Sequence, residues 1–465
     1  MKFAMFALRG KSFSAWTSRN LSTSTRVPMV LCNAGYYGTL AAVRSLGRAG
    51  VPVVTVDPSL LAPGRYSRYS NLHLSSPPFE MTEDWVEWLL RFGRSGPRRA
   101  IYATSDAVSF ALAHRRDELS SVFDLYQPDL HTVMCILDKG RLLHHAQAVG
   151  IDTPDTWLPE SAEEAHRIIS DLGGLILIKP RSQLAVRSYT KGIIIDAIAT
   201  DGRSEYDRVL RQGPHDHSFA RQFPETMLPM LQRYHPEAME AVYSLSGFRD
   251  VSGSHVVMLG AHKVLQRPSR AGIGLCFEEA DVVPELAERT VRLCERVGYY
   301  GAFEVEFILC RGRPLLIDFN GRFYNQLAFD IARGMDLPSL VYAALTGQSD
   351  EVARLTSAFL TRGATGGLVF CNSFGLSVTL AAQQASRAIS PGDARRWKAW
   401  RKAYDGRIID AVRDADDPLP ALIDVAQQFL QSVRHPRAFA REMGPAKWPN
   451  ARIAFDNLTK GSTGT

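Results

Sequence analysis

The sequence lacks the spacings by which cysteine and histidine usually hold a structural metal. Its six cysteines include no Cys-x-x-Cys pair, and its histidines form no group at zinc-binding spacing. The pattern therefore favours reduced thiols in a cytoplasmic protein over a disulfide framework or a structural zinc. The cysteines are Cys32, Cys135, Cys276, Cys294, Cys310 and Cys371.

Long apolar runs are also missing. Gly363–Ser386 carries no charge over 24 residues, but its four glycines and its polar side chains make it a poor membrane span, and we expect buried strand or helix there. Residues 1–27 lack the apolar core of a secretory signal. Because they are rich in Arg and Ser and free of acids, they fit either an organellar transit peptide or, as we prefer, a basic, disordered tail.

No acidic residue precedes Asp57, whereas seven basic residues do, and these seven produce the net charge of +6. Subtracting them from the 54 Lys and Arg leaves 47 basic against 48 acidic residues, so the body of the chain is neutral. A general nucleic-acid surface is therefore not indicated. The hydrophobic content of 45% is that of an ordinary globular protein.

Two stretches in the second half of the chain, Phe303–Leu309 and Leu315–Arg322, each alternate apolar and polar residues with the period of a β-strand. If Arg311-Gly312-Arg313 is a three-residue hairpin loop, one register satisfies both faces of the pair. The predicted pairs are Glu306–Asp318, Glu304–Asn320, Val305–Phe319, Phe307–Ile317, Leu309–Leu315 and Cys310–Pro314.

The polar face of this hairpin places acids opposite acids, where they repel one another. A divalent cation would turn that repulsion into ligation, and the oxygens of Glu306, Asp318 and Asn320 suit magnesium. Arg322 could then stabilise a transferring phosphoryl or acyl-phosphate group. The alternative is an exposed sheet face with solvated charges.

From Pro28 the chain alternates strands with helices, which predicts a parallel sheet with helices on both faces. The Gly35–Gly38 turn followed by Asp57 resembles a dinucleotide fingerprint only weakly, and a tight turn for close packing is the preferred interpretation. The predicted strands are Met29–Cys32, Val51–Val56 and Ile101–Ala103, and the predicted helices are Thr39–Ala49 and Ala107–His114, the latter capped from Thr104, Ser105 and Asp106.

Farther along, Leu175–Lys179 and Gly192–Ile198 are predicted to be paired strands, with more strands at Met227–Gln232 and Val251–Val264. After about residue 350 the pattern becomes helical. There, four apolar residues at helical spacing predict a packing face: Trp397, Trp400, Tyr404 and Ile408.

With the hairpin in view, the chain from Met29 to Gly347 resembles the ATP-grasp enzymes. The family pattern is a Glu, then twelve residues later an acid followed by x-Asn-x-Arg, matched here by Glu306, Asp318, Asn320 and Arg322. The resemblance implies that the acids and Asn320 hold magnesium on the ATP phosphates, and that Arg322 contacts the reacting carboxylate or acyl phosphate.

Other family segments fall in the same order. Lys139 and Lys179 resemble the two phosphate-binding lysines, and Leu231–Tyr234 resembles the hinge at adenine, where Gln232 replaces the usual acid and Tyr234 closes the segment. Lys263 is similar to a lysine of the biotin-carboxylase branch. The run that begins at Gly35 looks closest to the branch of D-aspartate ligase.

The resemblance implies an α/β fold: a Rossmann-like pre-ATP-grasp domain (28–135), a two-lobed α+β ATP-grasp domain (136–350) and a mainly helical C-terminal extension (351–465). It implies an ADP-forming ligase in which ATP phosphorylates a carboxylate and an amine attacks the acyl phosphate. The implied cofactors are ATP and Mg²⁺, with Mn²⁺ as an alternative ion. The partners are small molecules rather than nucleic acid or membrane, and a homo-oligomer is left open.

One segment departs from the family. The flap after Lys179, usually glycine-rich, has one glycine, but the four positive charges from Lys179 to Lys191 inclusive would suit a triphosphate. A nucleotide-binding protein with little turnover is therefore an alternative, and a nicotinamide-dependent oxidoreductase is a weaker one. Arg267 and Arg270 are either grips for an anionic substrate or loop charges, and Asp106 is either an amine selector or, preferably, a helix cap.

Overall fold

The described residues form three sheets, the first of which is all parallel and five-stranded, with strand order β3-β2-β1-β4-β5. The structure, a computed structural model, describes residues 25–186, 192–197, 201–239, 241–267, 272–385, 387 and 389–434. The strands are β1 Met29–Cys32, β2 Val53–Val56, β3 Leu72–Leu74, β4 Arg99–Tyr102 and β5 Phe123–Leu125. The helices are α1 Tyr37–Arg48, α2 Thr82–Arg94, α3 Asp106–His114, α4 Arg116–Ser120 and α5 Leu130–Leu137.

Helices cover both faces of this sheet, as predicted. Alternate residues of β1 belong to different cores: Met29 and Leu31 pack with α1, whereas Val30 packs with Trp85 of α2 and Val108 of α3. All four β1 residues are buried, which is why the strand is continuously apolar.

The second sheet is antiparallel and four-stranded, in the order β6-β9-β7-β8. The predicted pairing of the strand at Leu175–Lys179 with the following segment is confirmed. The strands are β6 Thr156–Trp157, β7 Leu175–Lys179, β8 Ile193–Asp196 and β9 Met230–Arg233. The accompanying helices are α6 Lys139–Ala148, α7 Ala162–Leu172, α8 Gly202–Leu210 and α9 His217–Gln222.

The third sheet has seven strands, in the order β14-β13-β10-β11-β12-β15-β16, and is antiparallel except for the parallel pair β15–β16. Its strands are β10 Val242–Arg249, β11 Val256–Arg267, β12 Ile273–Ala280, β13 Gly301–Cys310, β14 Arg313–Asn320, β15 Val369–Cys371 and β16 Ile408–Asp410. Its helices are α10 Pro284–Val297, α11 Leu327–Ala332, α12 Leu337–Leu345, α13 Ser349–Arg362, α14 Ser373–Ala385, α15 Pro391–Ala403 and α16 Leu419–Arg434.

The expected helical C-terminal segment is present, and it also supplies β15 and β16 to the third sheet. The prediction of one helical stripe from Trp397 to Ile408 was wrong at its C-terminal end, because α15 stops at Ala403 and Ile408 lies in β16. Trp397 does pack into the core, beside Leu275 and Cys371. Within the described residues, no helix has both the length and the apolar character needed to cross a bilayer.

The β13–β14 hairpin keeps the predicted pairs around the acids but reaches them by a different route. Glu306 opposes Asp318 and Glu304 opposes Asn320, as predicted, and Val305 opposes Phe319. The loop, however, has two residues, Arg311 and Gly312, with φ of 49° and 79°.

Positive φ at both central residues fits a type I′ turn, whose twist matches that of the flanking strands. Cys310 therefore opposes Arg313 rather than Pro314, and Phe307 opposes Leu316 rather than Ile317. Ile317 is an additional residue, a β-bulge, that restores the predicted register at Asp318.

Candidate functional site

An open cleft of ≈ 590 Å³ lies between the second and third sheets. Both sheets contribute to the walls, and the connection from β9 to β10 passes along one side of the cleft. The lining residues are Leu177, Lys179, Gln232, Arg233, Tyr234, His235, Ala238, Val242, Lys263, Gln266, Gly272, Glu306, Ile308, Ile317 and Asp318.

Glu306 and Asp318 both line this cleft, so the two acids predicted to share an ion face the same space. Each also has a lysine partner: Lys263 donates to Glu306, and Lys139 Nζ lies 2.7 Å from Asp318 Oδ1. Lys263 comes from the neighbouring strand β11, and Lys139 begins helix α6. The site therefore holds two opposed carboxylates whose repulsion is relieved by two buried ammonium groups.

The second polar pair of the hairpin is buried more deeply. Glu304 accepts hydrogen bonds from Ser244, from Gln326 Nε2 at 2.7 Å and from Asn320 Nδ2 at 2.6 Å. Burial, and next the charge of Glu306, raises the pKa of Glu304 above its usual range. The amide of Asn320 is thereby oriented, with its Oδ1 accepting a hydrogen bond from Arg322 at 2.8 Å.

Arg322 joins the hairpin to the first sheet. Its Nε donates to Asp106 Oδ1 at 2.6 Å, at the start of α3. Burial lowers the pKa of Arg322, but the charge and hydrogen bond of Asp106 more than reverse this, so the pKa lies above its usual value. The preferred interpretation of Asp106 as a helix cap was wrong: Ser105 is the N-cap and accepts from Val108 N, while Asp106 occupies the first turn and pairs with Arg322.

The remaining cleft residues predicted to bind a nucleotide lie on the second sheet. Lys179, at the end of β7, is buried and donates to the carbonyl of the bulged Ile317 at 3.2 Å. Gln232 of β9 donates to Thr156 Oγ1 at 2.9 Å, and Tyr234 follows β9 where the chain leaves this sheet. Lys191 and Arg270 lie outside the described residues, and Arg267 ends β11.

One structural pair beside Lys139, Asp138 with Arg181, was not predicted. Asp138 is fully buried, caps α6 through Gly140 N, and binds Arg181 through both carboxylate oxygens at 3.0 and 2.5 Å. The backbone amide of Lys139 also donates to the carbonyl of Arg181. The Asp-Lys dipeptide thus anchors the start of the segment after β7 and also positions the Lys139 side chain. The sequence feature that could have indicated this role is that Asp is a favoured N-cap residue.

The turn considered for a dinucleotide serves packing within the fold. A Cβ at Gly38 would lie 2.1 Å from the carbonyl oxygen of Tyr324, so only glycine fits there. The carboxylate of Asp57 accepts from the backbone amides of Gly35 at 3.0 Å and Ser59 at 2.8 Å. Both its oxygens are therefore used by the loop itself, which supports the close-packing interpretation.

The donor set fits a hard divalent cation. Two carboxylates in facing register and a nearby amide supply oxygen ligands alone, the chemistry preferred by Mg²⁺. Buried lysines around the same cleft place positive charge where a polyphosphate could bind.

Comparison with solved structures finds the same architecture. The biotin carboxylase domain of the Hydrogenobacter thermophilus 2-oxoglutarate carboxylase, solved with MgADP and bicarbonate, matches with a TM-score of 0.53 and 16% identity over 69% of each chain. An L-amino acid ligase from Bacillus licheniformis matches at 0.50 and 13%, over 69% of this chain and 74% of that one. N5-carboxyaminoimidazole synthetase from Staphylococcus aureus matches at 0.50 and 13%, over 68% and 77%.

These three are ATP-grasp enzymes. The predicted ATP-grasp fold is confirmed. At these identities the likeness is one of fold. Neither a protein-family model nor a curated protein sequence matches the chain.

Proposed function

We propose that this protein is an ADP-forming ligase that activates a substrate carboxylate with ATP and joins it to an amine. The observation that carries the proposal is the pair Glu306 and Asp318, opposed on one hairpin, lining one cleft and each compensated by a buried lysine. No other arrangement predicted from the sequence accounts for two acids in such a position.

In this proposal the cleft binds ATP between the two sheets. Gln232, Tyr234 and the backbone of β9 meet the base, and Lys139, Lys179 and Lys191 bind phosphates as point charges. Glu306, Asp318 and Asn320 would hold Mg²⁺, which supplies neutralisation of phosphate charge when bound.

The reacting carboxylate would lie beside Arg322. A guanidinium kept charged by Asp106 can stabilise the negative charge of an acyl phosphate and orient the carboxylate in line with the γ-phosphoryl group. Lys263, which lines the cleft and donates to Glu306, would follow the phosphoryl group during transfer. Closure of the walls would exclude water from the acyl phosphate.

We also propose the finer assignments made from the sequence: a branch close to D-aspartate ligase, a cytoplasmic location, Mn²⁺ as a substitute ion, and domains at 28–135, 136–350 and 351–465. The Gly35–Gly38 turn and the α1 sequence that follows support the branch, and the separate first sheet supports the first boundary.

The test is a screen for ADP release over pairs of small carboxylic acids, amino acids and amines. We expect one pair to give turnover, and Glu306→Gln and Asp318→Asn to lower kcat at least about 100-fold, the scale of a lost transition-state electrostatic contact. Asp152→Asn is the matched control, since Asp152 pairs with Arg313 at the exposed end of the same hairpin. Undiminished turnover in both acid variants would refute the assignment.

Two other results would select the alternatives. Tight ATP binding without ADP release for any pair would support a nucleotide-binding protein whose flap limits turnover. Binding of a nicotinamide dinucleotide that survives Glu306→Gln would support the oxidoreductase, which leaves the opposed acids unexplained.

A further inference from the structure

Three side chains of different ligand types meet beside the cleft, outside the magnesium residues. Cys310 Sγ lies 3.3 Å from His235 Nδ1 and 3.6 Å from Glu237 Oε1. His235 and Glu237 lie on the connection from β9 to β10, and Cys310 ends β13. They are the one group of metal-ligating side chains of this kind found within the described residues, and each is half-buried.

The two distances from the Cys310 sulfur match the edges of a tetrahedron. With metal–ligand bonds of about 2.0–2.3 Å, tetrahedral angles put a thiolate about 3.5 Å from an imidazole nitrogen or a carboxylate oxygen on the same zinc ion. The three ligand atoms lie within 4.8 Å of one another, which brings a sulfur, an imidazole nitrogen and a carboxylate oxygen within reach of one ion.

We propose that His235, Glu237 and Cys310 form a transition-metal site of the zinc class, with a fourth position open to water. A thiolate and an imidazole select such an ion over Mg²⁺, whereas the oxygens of Glu306 and Asp318 select Mg²⁺ over zinc. When the ion binds, the Cys310 sulfur coordinates it and the thiol proton passes to solvent. The partial exposure of all three residues gives the ion access.

This proposed metal site lies next to the cleft that contains the acids. His235 lines the cleft, and Cys310 is four residues from Glu306 on the same strand. A bound ion would therefore link the segment that joins the two sheets to the hairpin that carries the acids. The inference itself does not depend on ligase activity.

The experiment uses untagged, full-length protein freed of metal and titrated with Co²⁺ and then Zn²⁺. We expect one equivalent of Co²⁺ to produce a thiolate-to-cobalt charge-transfer band in the near ultraviolet. Zn²⁺ should then displace the Co²⁺ and remove the band. Cys310→Ser should abolish the band, and Glu237→Gln, which keeps the side-chain shape, should weaken Zn²⁺ binding by more than about tenfold, since even outer-shell changes cost 10–100-fold.

Cys135→Ser is the matched control. Cys135 also has a histidine neighbour, with its sulfur 3.8 Å from His131 Nε2, but these two belong to no group of three ligands within the described residues. It should keep the band, as should Asp318→Asn. Absence of the band in the unaltered protein, its survival in Cys310→Ser, or its loss in Asp318→Asn would overturn the proposal.

Discussion

At the scale of single residues, the site is organised by charge compensation. Glu306 and Asp318 face each other, and Lys263 and Lys139 reach them and compensate their charges. Both ion pairs are largely buried, so each lysine contributes a positive charge that the solvent screens weakly. In the proposed reaction, a metal ion would bind the two carboxylates and the nucleotide phosphates would bind the two lysines.

The first prediction follows from the charge of Lys263. Replacing it by Met leaves Glu306 without its cation, so we expect Mn²⁺ to bind the nucleotide-free protein about tenfold more tightly and ATP to bind more weakly. Electron paramagnetic resonance of Mn²⁺ and calorimetry of ATP binding measure the two effects. Lys398→Met, on the exposed face of α15, is the control and should change neither. Unchanged Mn²⁺ affinity in Lys263→Met would contradict the compensation.

A second prediction concerns the buried Glu304. Its pKa is raised in the folded protein, so between its ordinary pKa near 4.5 and the raised value the folded state holds more protons than the unfolded state. Stability therefore falls as the pH rises through this window. Other buried acids with raised pKa values contribute in the same direction: Asp57, Asp330 and Asp424.

Glu304→Gln is expected to reduce the loss of unfolding free energy between pH 4.5 and 8, measured by urea unfolding at each pH. Glu351→Gln is the comparison, because the hydrogen bond from Arg354 lowers the pKa of this partly exposed acid, so any contribution it makes to the pH dependence of stability has the opposite sign. If Glu304→Gln declined as steeply as the unaltered protein, the carboxyl would not be the source of the effect.

At the scale of elements, the turn and the bulge of the β13–β14 hairpin act together. The two-residue turn at Arg311–Gly312 would shift the acids out of register, and the extra residue Ile317 compensates. The bulge also turns the Ile317 carbonyl to Lys179. Ile317 therefore both corrects the register of the acids and binds Lys179, and the alternating pattern of the sequence did not predict this bulge.

A third prediction tests this turn. A Cβ at Gly312 meets nothing within 4 Å, but φ is +79°, so Gly312→Ala should cost about 1–2 kcal/mol of unfolding free energy from backbone conformation alone. Gly312→Asn should cost less, since Asn tolerates the left-handed region. Chemical denaturation of both variants makes the comparison. Equal losses would mean that side-chain contacts rather than φ decide the cost.

The elements that could be predicted are those with a strong local pattern. The continuous apolar strands of the first sheet and the alternating hairpin belong to this class. By contrast, β10 and β12 were not predicted. The centre of β10 contains Ser244, Ser246 and Gly247, which are poor strand formers. Their presence is explained by distant contacts: Ser244 donates to Glu304, and a Cβ at Gly247 would lie 2.4 Å from the carbonyl oxygen of Val257.

The same division applies to the site. The acids could be predicted because they share one hairpin, and the lysines could be proposed only by resemblance. The partnerships of Lys139 with Asp318 and of Arg322 with Asp106 join residues 179 and 216 positions apart, so no local spacing records them. His235, Glu237 and Cys310 are hidden for the same reason, since no zinc-binding spacing includes them.

At the scale of the whole molecule, the C-terminal segment packs against the domain of the first sheet through buried hydrogen bonds. Asp417 is buried and accepts hydrogen bonds from Arg44 Nε at 2.9 Å, Ser67 Oγ at 2.7 Å and Arg68 N at 2.9 Å. Arg44 also donates to the carbonyl of Val412 at 2.8 Å. Because β15 and β16 belong to the third sheet, this contact ties the outer edge of that sheet to helix α1.

The fourth prediction separates this buried connection from a neighbouring surface one. Arg44→Ala leaves Asp417 charged and buried without its cation, a change that typically costs about 3–5 kcal/mol. Arg48→Ala, one helical turn later on α1, removes the exposed pairs with Asp414 and Asp416 together with a cation–π contact to Tyr69, and should cost about 0–1 kcal/mol. Urea unfolding followed by tryptophan fluorescence measures both losses. Arg44 makes no contact with the acids of the cleft, so both variants should still bind ATP at urea concentrations below the unfolding transition. Equal losses of unfolding free energy in the two variants would show that the buried Arg44–Asp417 pair does not govern how the C-terminal segment is held.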